Sequence, residues 1–180
     1  MQNSLIFIVD NLSDLYIAMF LVRFILQWVR RGYQTVLSQF VMKATAPLVI
    51  PARRVLPSVR RIDLPTLVVL VALECIATLL LYLIGPFPLR VDVFVGSVVL
   101  RLVSLTIWVY WGAILIYVLL GWVVQGYHPI ADALGTLIDP LLRPARKIIP
   151  SIAGLDFSPM IVMILLYALI LALPPWPYVP

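Results

Sequence analysis

Four long apolar runs dominate the chain, and the stretches between them hold most of its charge. A spanning helix needs about 20 mostly apolar residues, because each rises about 1.5 Å through a hydrocarbon core about 30 Å thick. Runs 5–29, 64–84, 93–124 and 157–173 predict four transmembrane helices. The third is longer than one crossing requires, which predicts a tilted span or an interfacial lead-in before Arg101. Gly85-Pro86-Phe87-Pro88 ends the second run, and Pro174-Pro175-Trp176-Pro177 ends the fourth, its tryptophan suited to the headgroup zone. No basic segment precedes the first run, which reads as a retained helix rather than a cleaved signal.

In the two long connections, 30–63 and 125–158, the pattern changes to shorter helical stripes. Val36, Leu37, Phe40, Val41 and Ala44 fall on one face of a helix, as do Ile130, Leu134, Leu137 and Ile138. Each stripe is too short to span. An amphipathic helix lying in the interface and a helix packed on its own bundle both fit.

Composition makes lipid the solvent. Hydrophobic residues make up 63% of the 180 and charged residues 12%, with a mean hydropathy of +1.09. So few charges cannot clothe a water-exposed surface. The net charge of +5 does not point to nucleic acid, because seven of the thirteen basic residues lie in the first long connection and three in the second. The short connection between the halves holds only Arg90. By the positive-inside rule the long connections are expected on the cytoplasmic face, with both termini on the other side.

The long connections are also copies of each other. Thr45-Ala46-Pro47-Leu48-Val49-Ile50-Pro51-Ala52-Arg53-Arg54-Val55-Leu56-Pro57-Ser58 answers to Ile138-Asp139-Pro140-Leu141-Leu142-Arg143-Pro144-Ala145-Arg146-Lys147-Ile148-Ile149-Pro150-Ser151, and each has an aspartate, Asp63 or Asp156, six residues after its last proline. Trp28, Gly32 and Tyr33 answer likewise to Trp122, Gly126 and Tyr127. The expected fold is therefore an all-α integral membrane protein: four transmembrane helices as two parallel helix-pair repeats, 1–90 and 91–180, each with an amphipathic, proline-rich cytoplasmic loop.

Three prolines within eleven residues of each loop predict a bent strap rather than a continuous helix. Arg53, Arg54, Arg146 and Lys147 are then expected at headgroup level, as ordinary anchors or as contacts for anionic lipid or an acidic partner. Asp63 and Asp156 are expected to cap the helices that follow, with Pro65 and Pro159 suited to a first turn.

The doubled Pro-x-x-x-Pro-x-Arg-[Arg/Lys]-x-x-Pro element, together with Gly154-Leu155-Asp156-Phe157-Ser158-Pro159, resembles the YggT family over nearly the whole chain. In the first half Arg61-Ile62-Asp63-Leu64-Pro65-Thr66 stands in place of that last signature. The resemblance implies a two-copy inner-membrane protein. It associates the chain with osmotic stress and potassium homeostasis, with cell division or nucleoid organisation, or with assembly of a membrane cytochrome. No catalytic residues or cofactor come with it.

Charges inside the spans each need an explanation, because inserting one costs a few kcal/mol. Asp10 and Asp14 share a face of the first helix, and Arg101 lies at comparable depth in the third on a seam with Ser97, Ser104, Trp108 and Gly112. An Asp10/Asp14 to Arg101 pairing is expected to tie the halves together. Arg23 falls on nearly the opposite face from Asp14, so Glu74, a lipid phosphate or another protein is its expected partner. A polar path for a cation and a charge network that specifies helix pairing are both open readings.

Cys75 lies in an apolar run, and His128, the one histidine, lacks an acid or cysteine cluster. With no catalytic triad, phosphate loop or metal set, the chain is expected to be non-enzymatic. Expected partners are the bilayer, anionic lipids, and a second copy or another membrane protein, but not nucleic acid.

Overall fold

The computed structural model describes residues 2–29, 35–57, 63–85, 90–123, 126–148 and 156–174. Six helices occupy them: α1 (Gln2–Val29), α2 (Val36–Val55), α3 (Leu64–Ile84), α4 (Val91–Val123), α5 (Pro129–Ile148) and α6 (Ser158–Ala172). Three of these, α1, α3 and α4, are long and apolar enough to cross a bilayer, whereas α6 has 15 residues. At 1.5 Å per residue α6 covers roughly 22 Å, short of the roughly 30 Å hydrocarbon core.

Local chemistry sets the boundaries. The α3 helix opens with proline in its first turn and closes at Gly85, whose N–H donates to the Leu81 carbonyl at 2.8 Å. Thr35 caps α2: its hydroxyl accepts from the Ser38 N–H at 3.3 Å, and the Ser38 hydroxyl donates to the Thr35 carbonyl at 2.7 Å. The turn before α5 contains Gly126 at φ 113°, a left-handed backbone that glycine adopts at no steric cost.

The straps expected in the two loops are continuous helices. The α2 helix runs through Pro47 and Pro51, and α5 through Pro140 and Pro144. The prolines of each pair stand four residues apart, so both missing N–H groups fall on one side of the helix. Burial opposes the local penalty: Val41, Thr45 and Val49 of α2, and Leu134, Leu137, Ile138 and Leu142 of α5, are covered by the bundle. Pro57 acts as a helix stop, lying two residues beyond the end of α2. Its counterpart Pro150 lies outside the described residues, as do Arg30, Arg31, Gly32, Tyr33, Arg60, Arg61, Pro86 to Pro88, Val124, Gly154, Leu155 and Trp176.

The buried stripe of α2 is also rotated from the expected one. Ser38, Val41, Thr45 and Val49 face inward, while Val36 and Phe40 are 63% and 64% exposed. In α5 the expected stripe is buried except Ile130.

An apolar core forms where α1 meets α2, α3, α4 and α5, centred on Ile17, Phe20, Leu21, Val49, Ile114, Leu137 and Leu142. The α6 helix packs on α4 and α5. Outward faces of the long helices are themselves apolar, with Leu5, Phe7, Leu12, Ile76, Leu83 and Val99 exposed. Such faces suit lipid rather than water.

Candidate functional site

A buried ionic cluster joins α1, α3 and α4. Asp10 and Asp14 lie one turn apart on α1, which aims both carboxylates at α4. The Arg101 guanidinium receives them on separate nitrogens: Nη1 donates to Asp10, and Nη2 to Asp14 at 2.7 Å. Its Nε donates to Glu74 of α3 at 2.5 Å. Glu74 has no exposed surface, and its Oε1 also accepts from the Thr78 hydroxyl at 3.2 Å. Its Oε2 is buried without a hydrogen-bond partner. Nearby, the Tyr82 and Ser97 hydroxyls share a 2.9 Å hydrogen bond between α3 and α4.

A cavity of about 270 Å³ opens beside the cluster, lined by Asp10, Asp14, Arg101, Ser104 and Trp108 together with Leu173 and Pro174 at the end of α6. One guanidinium faces three carboxylates, so the cluster holds more acid than its own arginine neutralises.

The structure brings Asp10, Asp14 and Arg101 together as their spacing predicts, and adds Glu74 to the group. Arg23 does not pair with Glu74. It is buried against α2, where its Nη1 donates to the Thr45 hydroxyl at 2.6 Å and to the Met42 carbonyl at 3.2 Å. Thr45 lies on the buried side of α2, which is rotated from the apolar stripe of the sequence. Thr45, which passes its own proton to the Val41 carbonyl at 2.6 Å, is the polar residue that sequence reasoning missed.

Of the two loop aspartates expected as caps, one caps and one does not. Asp63 makes no side-chain cap to α3. Its Oδ2 accepts from Arg53 at 2.8 Å and from the Thr66 hydroxyl at 2.6 Å. Burial alone would raise its pKa, but the hydrogen bonds from Thr66 and Arg53 outweigh that and hold it below the usual aspartate range. Asp156 does cap, accepting from the Ser158 N–H at 3.0 Å, and it also accepts from Arg146 Nε at 2.8 Å. Burial would raise its pKa too, but the hydrogen bonds from Arg146 and Ser158 and the Arg146 charge together hold it below the usual aspartate range.

Each repeat thus closes the end of its proline-bearing helix onto the start of the next by one Arg–Asp clasp. The equal spacing of Arg53 to Asp63 and Arg146 to Asp156 was the available sequence signal. Arg53 and Arg146 are therefore engaged inside the chain, whereas Arg54 and Lys147 are exposed with no ion pair among the described residues.

Among the described residues no group of three His, Cys, Asp or Glu side chains is arranged to hold a metal ion. His128 lies in a polar depression with Tyr117, Asp132, Asp139 and Arg146, and Cys75 is half-buried in α3.

The family model described as CCB3/YggT matches residues 2–84 and 96–176, one match in each half. The chain is 35% identical to uncharacterised protein YggT of Escherichia coli K12 over 93% of its own length and 88% of the relative's. It is 38% identical to an uncharacterised protein of Vibrio alginolyticus, covering 91% and 89%, and 35% identical to one of Pseudomonas aeruginosa, covering 89% and 83%. No solved structure matches the chain.

Proposed function

The chain belongs to the CCB3/YggT family, and from that premise we propose that it is a non-enzymatic, multi-pass protein of the bacterial inner membrane that supports osmotic or ion homeostasis, potassium included, directly or through a partner. With α6 as a fourth crossing, the repeats run parallel, both termini face the periplasm, and α2 and α5 lie at the cytoplasmic surface. A reporter fused to the C-terminus tests this topology; activity on the cytoplasmic side overturns it.

One observation carries the functional reading: three carboxylates converge on a single buried guanidinium beside a cavity. A purely structural ion pair needs one acid per base. The surplus acid makes the charge state of the cluster depend on the protons and cations that reach it. Purified protein in liposomes is expected to pass a monovalent cation or protons, with the flux lost in Asp14→Asn and Glu74→Gln. For action through a partner, a strain lacking the gene is expected to grow poorly at high osmolarity and to be rescued by the wild type but not by Glu74→Gln. Absence of both flux and growth defect sinks the reading.

A second reading, a scaffold for cell division or for assembly of a membrane complex, draws on exposed Arg54, Arg143 and Lys147. It predicts that neutralising these residues abolishes partner capture and leaves Glu74→Gln without effect.

A further inference from the structure

We propose that the outward face of α2 docks the headgroups of anionic phospholipids, with Lys43 and Arg54 supplying the charge and Val36, Phe40 and Ile50 entering the acyl boundary. The inference stands on α2 alone and does not depend on the ionic cluster.

At 100° per residue, Val36, Phe40, Lys43, Pro47, Ile50 and Arg54 fall on one side of α2, opposite Ser38, Val41, Thr45 and Val49. The first six are exposed and the last four buried. Basic and apolar side chains interleave on the exposed side, and no acidic residue occurs anywhere in Val36–Val55. Snorkelling basic residues beside apolar ones that enter the lipid are the pattern of an interfacial helix.

The equivalent helix of the other repeat carries a different pattern. The outward side of α5 carries Asp132, Asp139, Arg143, Arg146 and Lys147, charges of both signs, two of them joined as Arg143–Asp139 at 2.5 Å. A second copy of the chain offers α2 little to bind. Of the exposed or part-exposed acids outside the buried cluster, Asp92, Asp139 and Asp156 are already paired with Arg90, Arg143 and Arg146, which leaves Asp132 alone without an ion pair among the described residues.

Depth follows from the backbone. Pro47 and Pro51 supply no N–H to the carbonyls four residues before them, Lys43 and Pro47. Carbonyls without helical donors are costly in hydrocarbon and tolerable where water and headgroup donors reach them. The face therefore belongs at the phosphate level, where Lys43 and Arg54 meet anionic groups.

The test uses the full chain in neutral detergent, titrated with phosphatidylglycerol and, separately, phosphatidylcholine, with bound lipid read by native mass spectrometry. Wild type is expected to prefer phosphatidylglycerol. Each basic side chain near an anionic surface is worth roughly fivefold in affinity. Lys43→Gln/Arg54→Gln should therefore lower the affinity for phosphatidylglycerol roughly thirtyfold and spare phosphatidylcholine, whereas Arg143→Gln/Lys147→Gln should leave the preference intact.

Equal loss in both double variants, or no preference in the wild type, overturns the proposal. So does a dimer that Lys43→Gln/Arg54→Gln dissociates while lipid preference persists, which would assign the face to a second copy. As an independent readout, a spin label at Cys75→Ala/Phe40→Cys in bilayers should be more accessible to oxygen than to a water-soluble nickel complex; the reverse order also overturns it.

Discussion

Superposed in the register that lays Trp28 on Trp122, the two repeats put different chemistry at equivalent positions. Asp10 lies on Ser104, Asp14 on Trp108 and Arg23 on Tyr117; in the register of the loops, Thr45 lies on Ile138 and Glu74 on Tyr167. The first repeat carries charged or polar groups where the second carries hydroxyl, aromatic or aliphatic ones, and of those counterparts Ile138 is buried whereas Trp108 and Tyr167 are exposed. Arg101 reverses the relation, since its counterpart Phe7 is exposed. The one buried cation of the second repeat therefore serves the carboxylates of the first. Asp10 and Asp14 line the same cavity as their own counterparts Ser104 and Trp108, so equivalent faces of α1 and α4 look at each other across it. Divergence of two copies has turned a symmetric contact into a polar one that neither half completes alone.

The sharpest way to break this comparison is to remove the cation. Arg101→Leu leaves three carboxylates to repel one another around a buried Glu74, and losing one side of a buried ionic network costs about 3–5 kcal/mol. The expected result is a large fall in Tm in detergent, or failure to accumulate in the membrane. Phe7→Ala at the equivalent position should stay within about 0.5 kcal/mol. Comparable effects at the two positions would mean that the cluster does not hold the halves together.

A double-mutant cycle sharpens the picture within the cluster. Glu74 is fully buried, whereas the Asp14 side chain is 39% exposed. Coupling of Arg101 to Glu74 is expected at about 2–3 kcal/mol, and coupling to Asp14 at about 1 kcal/mol. Glu74→Gln alone should cost less than Arg101→Leu, because it removes part of the surplus acid and keeps a polar group beside Thr78. Tyr167→Phe, at the counterpart of Glu74, should have no effect on the Arg101 coupling.

The clasps offer a comparison of like with like. Asp63 and Asp156 both have folded-state pKa values below the unfolded one. Their stabilisation is therefore fully present above about pH 4, the unfolded aspartate value, and is lost as pH falls through the folded value. Asp63→Asn should cost about 1–2 kcal/mol, since its side chain is 7% exposed, and Asp156→Asn under about 1 kcal/mol, since its side chain is 37% exposed. Thermal unfolding between pH 3 and 6 checks both, and each variant should flatten the acid limb of the curve. A steeper limb in either would reverse the assigned sign.

Much of this architecture is legible in the residues. The α3 helix falls where the apolar run, Pro65 and Gly85 place it, because both its ends carry their own punctuation. The Asp10, Asp14 and Arg101 grouping follows from depth and helical spacing. Glu74 was harder to assign, because which face of α3 meets α4 is settled by packing between distant segments. The partner of Arg23 was hidden for a different reason: Thr45 follows the apolar stripe of the segment and lies on a buried side rotated from it. Prolines were read one by one as breakers, whereas a buried stripe on the same segment outweighs them. The α6 helix falls within one residue of its apolar run at each end, with Phe157 and Leu173 as its caps.

The smallest expected effect tests that reading of the prolines. Alanine at position 47 restores an N–H to the Lys43 carbonyl and removes a ring that crowds the preceding turn, which favours the helix. It also frees the unfolded chain, which disfavours folding by roughly 0.4–1 kcal/mol. Because α2 is already continuous and Pro47 is exposed, the terms should nearly cancel, leaving Pro47→Ala within about 1 kcal/mol of wild type with unchanged far-UV circular dichroism. Pro140, its counterpart in α5, is half-buried, so Pro140→Ala also gives up packing and should be the less stable of the two. If Pro47→Ala gains helical signal in the far ultraviolet, α2 in the bilayer is less continuous than α5, and the bent strap survives in the first repeat alone.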